Sequence, residues 1–153
     1  MNRYIPERSF PSYAFTPGLN THPNKKGGHF FGQPEIVSTH LKKENQDYLY
    51  SIDLMNHQYY WEAHVYLEAI WNAHNRVGIE ADFCKALIKM SAGALKYRLG
   101  SNEAFLGHLD RAIELFTPLL EKDLFLGITP KELIEVCYLW KEEKFVEIKL
   151  YLS

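Results

Sequence analysis

The sequence predicts a mainly α-helical protein of about five helices packed as antiparallel hairpins, with an extended N-terminal arm and a short C-terminal strand. Three observations lead to this prediction. From about residue 44 the apolar residues recur at helical spacing. Five of the seven prolines fall within the first 34 residues, which excludes a regular helix there. Near the C-terminus, apolar and charged side chains alternate as they do in a strand.

With 153 residues, the chain is predicted to form a single domain that buries a core without disulfide or metal staples. We divide this domain, 1–153, into an arm (1–42), a helical core (43–145) and a C-terminal strand (146–152). The arm is rich in aromatic residues, which disordered tails usually lack. It is therefore expected to be ordered and to wrap over the helices. These aromatic residues are Tyr4, Phe10, Tyr13, Phe15, Phe30 and Phe31.

Charge, hydropathy and cysteine spacing restrict the partners and the location of the protein. A net charge of −2 gives no long-range attraction for a polyanion, so nucleic acid is not expected as a partner. No stretch approaches the roughly 18 apolar residues of a membrane span, and the N-terminus lacks the apolar core of a signal peptide. Cys84 and Cys137 lie far apart, as expected of reduced thiols. We therefore predict a cytoplasmic protein, with its oligomeric state left open.

Each predicted helix has its own start or stop signal. The five helices are expected at about 44–56, at 59–74, at 82–99, from 102 to the residues before Pro118, and from Pro130 onward. Gly100 is expected to end the third helix as a C-cap glycine, and Ser101 to be the N-cap of the fourth. The run Thr129-Pro130-Lys131-Glu132 reads as a capping box with proline at the first helical position.

The second predicted helix carries the candidate functional site. Its sequence from 59 to 71, YYWEAHVYLEAIW, places His64 and Glu68 four residues apart, and therefore on one face. Trp61 and Trp71 flank this pair. Ligand pockets are mostly apolar with a few fixed polar groups, so these four residues are predicted to line a pocket, with plain core packing as the alternative. Glu62 is expected on the opposite side of the helix, away from the apolar stripe.

A metal site is one chemical hypothesis for these residues. In it, His22 and His29 from the arm meet His64 and Glu68, giving three imidazoles and one carboxylate that suit a divalent metal such as zinc, or iron or manganese. Two other interpretations remain open. In the first, His64 only donates a structural hydrogen bond, to Glu68 or to a main-chain carbonyl, within a buried polar network. In the second, His64 and Glu68 perform acid/base chemistry without a metal, which makes them the candidate catalytic residues.

Three motifs of the chain carry a resemblance to a known family. The first is Trp61-Glu62-Ala63-His64-Val65-Tyr66-Leu67-Glu68 followed by Trp71. The second is Leu87-Ile88-Lys89-Met90-Ser91-Ala92, ahead of Gly100-Ser101-Asn102. The third, near the N-terminus, combines Tyr4-Ile5-Pro6 with Pro17-Gly18, His22-Pro23 and Gly28-His29. Together they resemble the domain-of-unknown-function family 309. The resemblance implies a small all-helical protein with no established activity. The chain departs from the family pattern at Val65, where Glu is common, and at Lys89, where Gln is expected.

Two functional hypotheses of different classes follow. The first is a polar pocket around His64 and Glu68 that binds a metal ion or a small ligand, with hydrolysis as a candidate reaction in this pocket. The second is a non-catalytic interaction or scaffold module built from helical hairpins, loosely similar to tetratricopeptide hairpins but without their period of about 34 residues. Convergence of His22, His29, His64 and Glu68 around an accessible cavity would favour the first hypothesis. A concave apolar groove elsewhere, with the His64 and Glu68 pair sealed, would favour the second. No P-loop, dinucleotide turn or HExxH motif supports a common cofactor.

Overall fold

The computed structural model describes residues 2–142 and 149–153, and this part of the chain contains five α-helices. They are α1 (Gln46–Asn56), α2 (Tyr60–Ala73), α3 (Ile79–Arg98), α4 (Asn102–Phe116) and α5 (Pro130–Lys141). A short 3₁₀ helix at Thr117–Leu119 follows α4, and it contains the proline that was predicted to end that helix. The prediction of a mainly helical bundle of about five helices is confirmed.

Each helix packs against the next one along the chain, and α3 makes the most extensive contacts, with α2 on one side and α4 on the other. One apolar core runs through all five helices. At its centre Phe83 meets the rings of Phe116 and Phe125 edge-on, with centroids 6.0 and 5.1 Å apart. Of the helices within the described ranges, none is long and apolar enough to cross a membrane.

The helices end at or close to the predicted residues, but not every predicted cap residue makes a capping hydrogen bond. Gly100 adopts φ +76° after α3, and the N–H groups of Gly100 and Ser101 donate to the carbonyls of Tyr97 and Lys96, which is a Schellman motif. Ser101 and Thr129 occupy the predicted N-cap positions, yet neither side chain makes a capping hydrogen bond. Asn45 does cap its helix, because its side chain accepts the N–H of Tyr48 at 2.9 Å.

The predicted extended arm is not found: residues 2–45, here called the N-terminal segment, contain neither helix nor strand, and turns and bends recur between residues 4 and 32. Asp53 of α1 binds the start of this segment, since its two carboxylate oxygens accept the N–H groups of Tyr4 and Ile5 at 2.8 and 2.9 Å. The Tyr50 hydroxyl donates to the Ser9 carbonyl at 2.6 Å. The segment thus covers α1 at Asp53, a polar residue that is buried.

The predicted C-terminal strand, 146–152, is not found in its described part. Residues 146–148 lie outside the described residues, and 149–153 have no strand structure. A side chain takes the place of a neighbouring strand there. The Leu150 N–H donates to Asn56 Oδ1 at 2.6 Å, and Asn56 Nδ2 donates to the Leu150 carbonyl at 2.9 Å. One asparagine therefore satisfies backbone groups that a strand would pair in a ladder.

Candidate functional site

A cleft of about 440 Å³ lies between α2 and part of the N-terminal segment. We call it the α2 cleft. Its α2 wall consists of Trp61, His64, Val65, Glu68, Ala69 and Asn72, and its other wall of Asn24, Phe30, Gln33, Pro34, Glu35 and Ile36. The α2 positions are spaced at i, i+3, i+4, i+7, i+8 and i+11, which is one stripe of a helix. The helix geometry alone therefore places His64 and Glu68 on this wall.

Three of the four predicted pocket residues line the α2 cleft, namely Trp61, His64 and Glu68. Trp71 does not line it. The Arg76 guanidinium lies over the Trp71 ring at 4.5 Å from its centroid, and the Lys85 ammonium lies at 5.7 Å. Trp71 is thus occupied by cation–π contacts near the end of α2, where the chain turns toward α3.

His64 and Glu68 form the polar part of the α2 wall. His64 Nδ1 is hydrogen-bonded to the carbonyl oxygen of Trp61. Since a carbonyl can only accept, Nδ1 carries the proton, and Nε2 of the neutral ring is left as an acceptor. This Nε2 lies 3.7 Å from Glu68 Oε2. The side chains of His64 and Glu68 are 29% and 45% exposed. The cleft thus presents two neighbouring acceptors, here called the acceptor pair, to solvent.

Trp61 is held in place by a cluster of aromatic rings. Phe15, His22 and His64 each approach it nearly edge-on, with ring centroids 5.4, 5.3 and 5.2 Å away. Phe30, from the opposite wall of the cleft, lies 6.2 Å away. Edge-to-face contacts of this kind fix ring orientation. The aromatic part of the cleft is therefore built jointly by α2 and the N-terminal segment.

The structure does not gather the four predicted metal ligands into one cluster. His22 packs against Phe15 and Trp61, and its Nδ1 accepts the Asn24 N–H at 3.1 Å. His29 approaches Glu62 instead of Glu68, with Nε2 3.1 Å from Glu62 Oε2. Glu62 and Glu68 are six positions apart on α2, so they project from different sides of the helix.

Across the described residues, no group of three or more His, Cys, Asp or Glu side chains is arranged to hold a metal ion. The expected convergence of His22 and His29 with His64 and Glu68 is thus corrected. The N-terminal segment does reach α2, but it brings His29 to a different carboxylate.

The burial of Glu62 was not predicted from the sequence. This residue was expected on the outer side of α2, yet its side chain is fully buried, because Phe15 and His29 of the N-terminal segment cover it. Glu62 Oε2 accepts the Phe15 N–H at 2.8 Å. Burial raises the pKa of Glu62 and lowers the pKa of His29. The aromatic content of the N-terminal segment was the only sequence signal that α2 would be covered here.

We expect the Glu62→Gln substitution to change how stability depends on pH. Folding raises the pKa of Glu62, so the folded state binds this proton more tightly than the unfolded state does. The contribution of Glu62 to the free energy of unfolding therefore falls as the pH rises above 4.5, the ordinary Glu value. The amide keeps an acceptor for the Phe15 N–H and does not titrate. The stability of the variant relative to wild type should rise with pH, by at most about 1.4 kcal/mol per pH unit.

Urea unfolding between about pH 4 and pH 7 tests this expectation, because in this range a glutamate with an ordinary pKa and one with a raised pKa differ in protonation. Both proteins should also be measured in a His29→Gln background, because the neighbouring imidazole titrates in the upper part of this range. A stability difference that stays constant with pH in that background would show that Glu62 has no shifted pKa.

One family model matches part of this chain. Residues 48–107 match the model of the family described as Domain of unknown function (DUF309). The match extends from α1 into the first half of α4, so it contains the whole α2 wall of the cleft and none of the N-terminal segment. No curated protein and no solved structure matches the chain. Residues 48–107 are therefore similar to the DUF309 family, which confirms the resemblance indicated by the sequence motifs.

Proposed function

We propose that the α2 cleft binds a small organic molecule and that the protein acts as a ligand-binding domain. The observation that carries this proposal is the acceptor pair, His64 Nε2 and Glu68 Oε2, which is open to solvent in a cleft of about 440 Å³. Small-molecule sites combine apolar walls with a few fixed polar groups that orient the ligand. Phe30 and Trp61 supply the apolar surface, and the acceptor pair supplies the fixed polar groups.

The exposure of the acceptor pair supports this proposal over a scaffold module, for which a sealed pair and an apolar groove elsewhere were expected. His22 and His29 do not join the pair, so the proposal rests on His64 and Glu68 without the four-residue cluster. A divalent metal is less well supported, because a zinc site needs at least three protein ligands and no three His, Cys, Asp or Glu side chains among the described residues are arranged to hold a metal ion. The pair also remains the candidate catalytic site, since an exposed acceptor nitrogen is what a general base requires. Binding is proposed first because it needs only the acceptors and the aromatic walls.

Two-dimensional ¹H–¹⁵N NMR tests the proposal, because the chain has three tryptophans and therefore three indole N–H signals. The Trp61 signal is assigned as the one that disappears in a Trp61→Phe variant. A set of small soluble aromatic and heteroaromatic compounds is then titrated into the protein. We expect some of them to shift the Trp61 signal saturably while the signal of Trp140, buried in the core, stays in place.

A matched pair of variants localises the binding. Val65 lies on the α2 wall, so Val65→Phe should fill part of the cleft and abolish the shift. Val77 is 71% exposed and does not line the cleft, so Val77→Phe should bind as wild type does. The proposal fails if no compound shifts the Trp61 signal, or if Val65→Phe binds as well as Val77→Phe.

A further inference from the structure

We propose that the ligand of the α2 cleft is an organic ammonium ion that donates N–H groups to His64 Nε2 and Glu68 Oε2. This inference rests on the proposed function, because it names the chemical class that the same cleft selects. It is argued from three properties of the cleft: the arrangement of its acceptors, the charge of its lining, and its aromatic surface.

The first property is the fixed arrangement of two acceptors. The carbonyl of Trp61 holds the proton of the neutral His64 ring on Nδ1, so Nε2 faces the cleft as a lone pair. Glu68 Oε2, which also only accepts when ionised, lies 3.7 Å away. Two acceptors cannot form a hydrogen bond with each other unless one of them gains a proton. At this separation one nitrogen atom can lie within about 3 Å of both acceptors, which is ordinary hydrogen-bonding distance.

The second property is the sign of the charge. The described lining of the cleft includes two carboxylates, Glu35 and Glu68, and neither lysine nor arginine. An anionic ligand would meet repulsion from both carboxylates and would find no cationic partner. An ammonium ion meets attraction from both, and its hydrogen bond to an ionised carboxylate is of the strong, charge-assisted type.

The third property is the aromatic surface beside the acceptors. The rings of Phe30 and Trp61 lie on opposite walls with centroids 6.2 Å apart. The Trp61 ring is also 5.2 Å from that of His64, so the aromatic surface adjoins the acceptor pair. Aromatic rings attract cations and also cover apolar groups. A ligand with an ammonium group on an apolar or aromatic body matches both parts of the cleft.

Four probes of similar shape separate these contributions at pH 7.5, with the Trp61 indole signal as the readout. Benzylamine carries charge and N–H donors, benzyltrimethylammonium carries charge without donors, benzyl alcohol is a neutral donor, and benzoate is an anion. We expect benzylamine to bind at least about tenfold more tightly than benzyl alcohol, because both can donate to the carboxylate but only the ammonium group also carries a positive charge. Benzyltrimethylammonium should bind more weakly than benzylamine, and benzoate should not bind.

A charge-matched pair of variants tests the role of Glu68. Glu68→Gln should weaken benzylamine binding by roughly tenfold and leave benzyl alcohol binding within about twofold. Glu114→Gln removes the same charge from an exposed site on α4, with a side chain 69% exposed, and should leave benzylamine binding unchanged. Equal weakening by both variants would overturn the proposal, because the effect would then come from overall charge.

The outcomes distinguish this inference from the function on which it rests. If benzyl alcohol binds as tightly as benzylamine and both shift Trp61, the ammonium inference is wrong and the ligand-binding function stands. If neither these probes nor the wider compound set shifts Trp61, both are wrong. If stoichiometric zinc displaces bound benzylamine and is itself lost in Glu68→Gln, the acceptor pair is a metal site and the ammonium inference is overturned.

Discussion

The Asp53→Ala variant is expected to lose about 3–5 kcal/mol of its free energy of unfolding. Asp53 is 1% exposed, and its carboxylate accepts the N–H groups of Tyr4 and Ile5. Arg3 Nε lies 3.5 Å from the same carboxylate. Removing the side chain leaves two backbone donors without their acceptor and a largely buried guanidinium without its ionic partner. Each buried group left unpaired costs about 1–3 kcal/mol.

Chemical denaturation followed by far-ultraviolet circular dichroism measures this loss. Asp110→Ala is the matched control, because Asp110 is also a helical aspartate with a basic partner, Lys141, but its side chain is 60% exposed. Exposed pairs contribute at most about 1 kcal/mol, so the control should remain close to wild type. If the two variants were equally stable, Asp53 would not be the anchor of the N-terminal segment.

The Gly28→Ala variant is expected to be less stable by about 1–3 kcal/mol, as overpacked sites generally are, and to lose ligand binding in the α2 cleft. A Cβ atom at position 28 would lie 2.5 Å from the carbonyl oxygen of Pro23 and would also clash with the carbonyl oxygen of His22. Both oxygens are backbone atoms of a loop that is closed by a hydrogen bond from the Phe30 N–H to the Pro23 carbonyl at 2.8 Å. They therefore cannot easily move away from an added Cβ atom. The same loop carries Asn24 and Phe30 into the cleft wall.

Thermal unfolding and the Trp61 NMR titration together test both parts of this expectation. Gly107→Ala is the control substitution, since Gly107 is an exposed glycine within α4 and a Cβ atom there meets nothing within 4 Å. That control should gain about 0.5–1 kcal/mol, because alanine loses less backbone entropy in a helix. Normal stability and normal ligand binding in Gly28→Ala would show that the loop is not needed to form the cleft.

The parts of this structure that were predictable from sequence are those set by local spacing. The stripe that brings Trp61, His64 and Glu68 to one side of α2 follows from helical geometry alone. The end of α3 at a left-handed Gly100 and the start of α5 at Pro130 likewise depend on residues within a few positions of each other. Such signals need no knowledge of where the rest of the chain lies.

The parts that were missed depend on contacts between distant segments. Glu62 looked like a solvent-facing residue because periodicity describes one helix and not what covers it. Its burial is set by Phe15 and His29, which lie 47 and 33 positions earlier in the chain. The pairing of His29 with Glu62 rather than Glu68 has the same origin, because both carboxylates had suitable chemistry and only the path of the N-terminal segment chooses between them.

The enclosure of α1 also affects how fast this protein folds. Its Asn56 binds Leu150 across 94 positions, and nearby the Leu152 N–H donates to the Tyr4 hydroxyl across 148 positions. Helical bundles usually fold quickly because most of their contacts are local, whereas distant contacts require large loops to close first. The packing of α2, α3 and α4 can form from local contacts alone. We therefore expect the surroundings of α1 to be completed last, with closure over this helix as the slow step of folding.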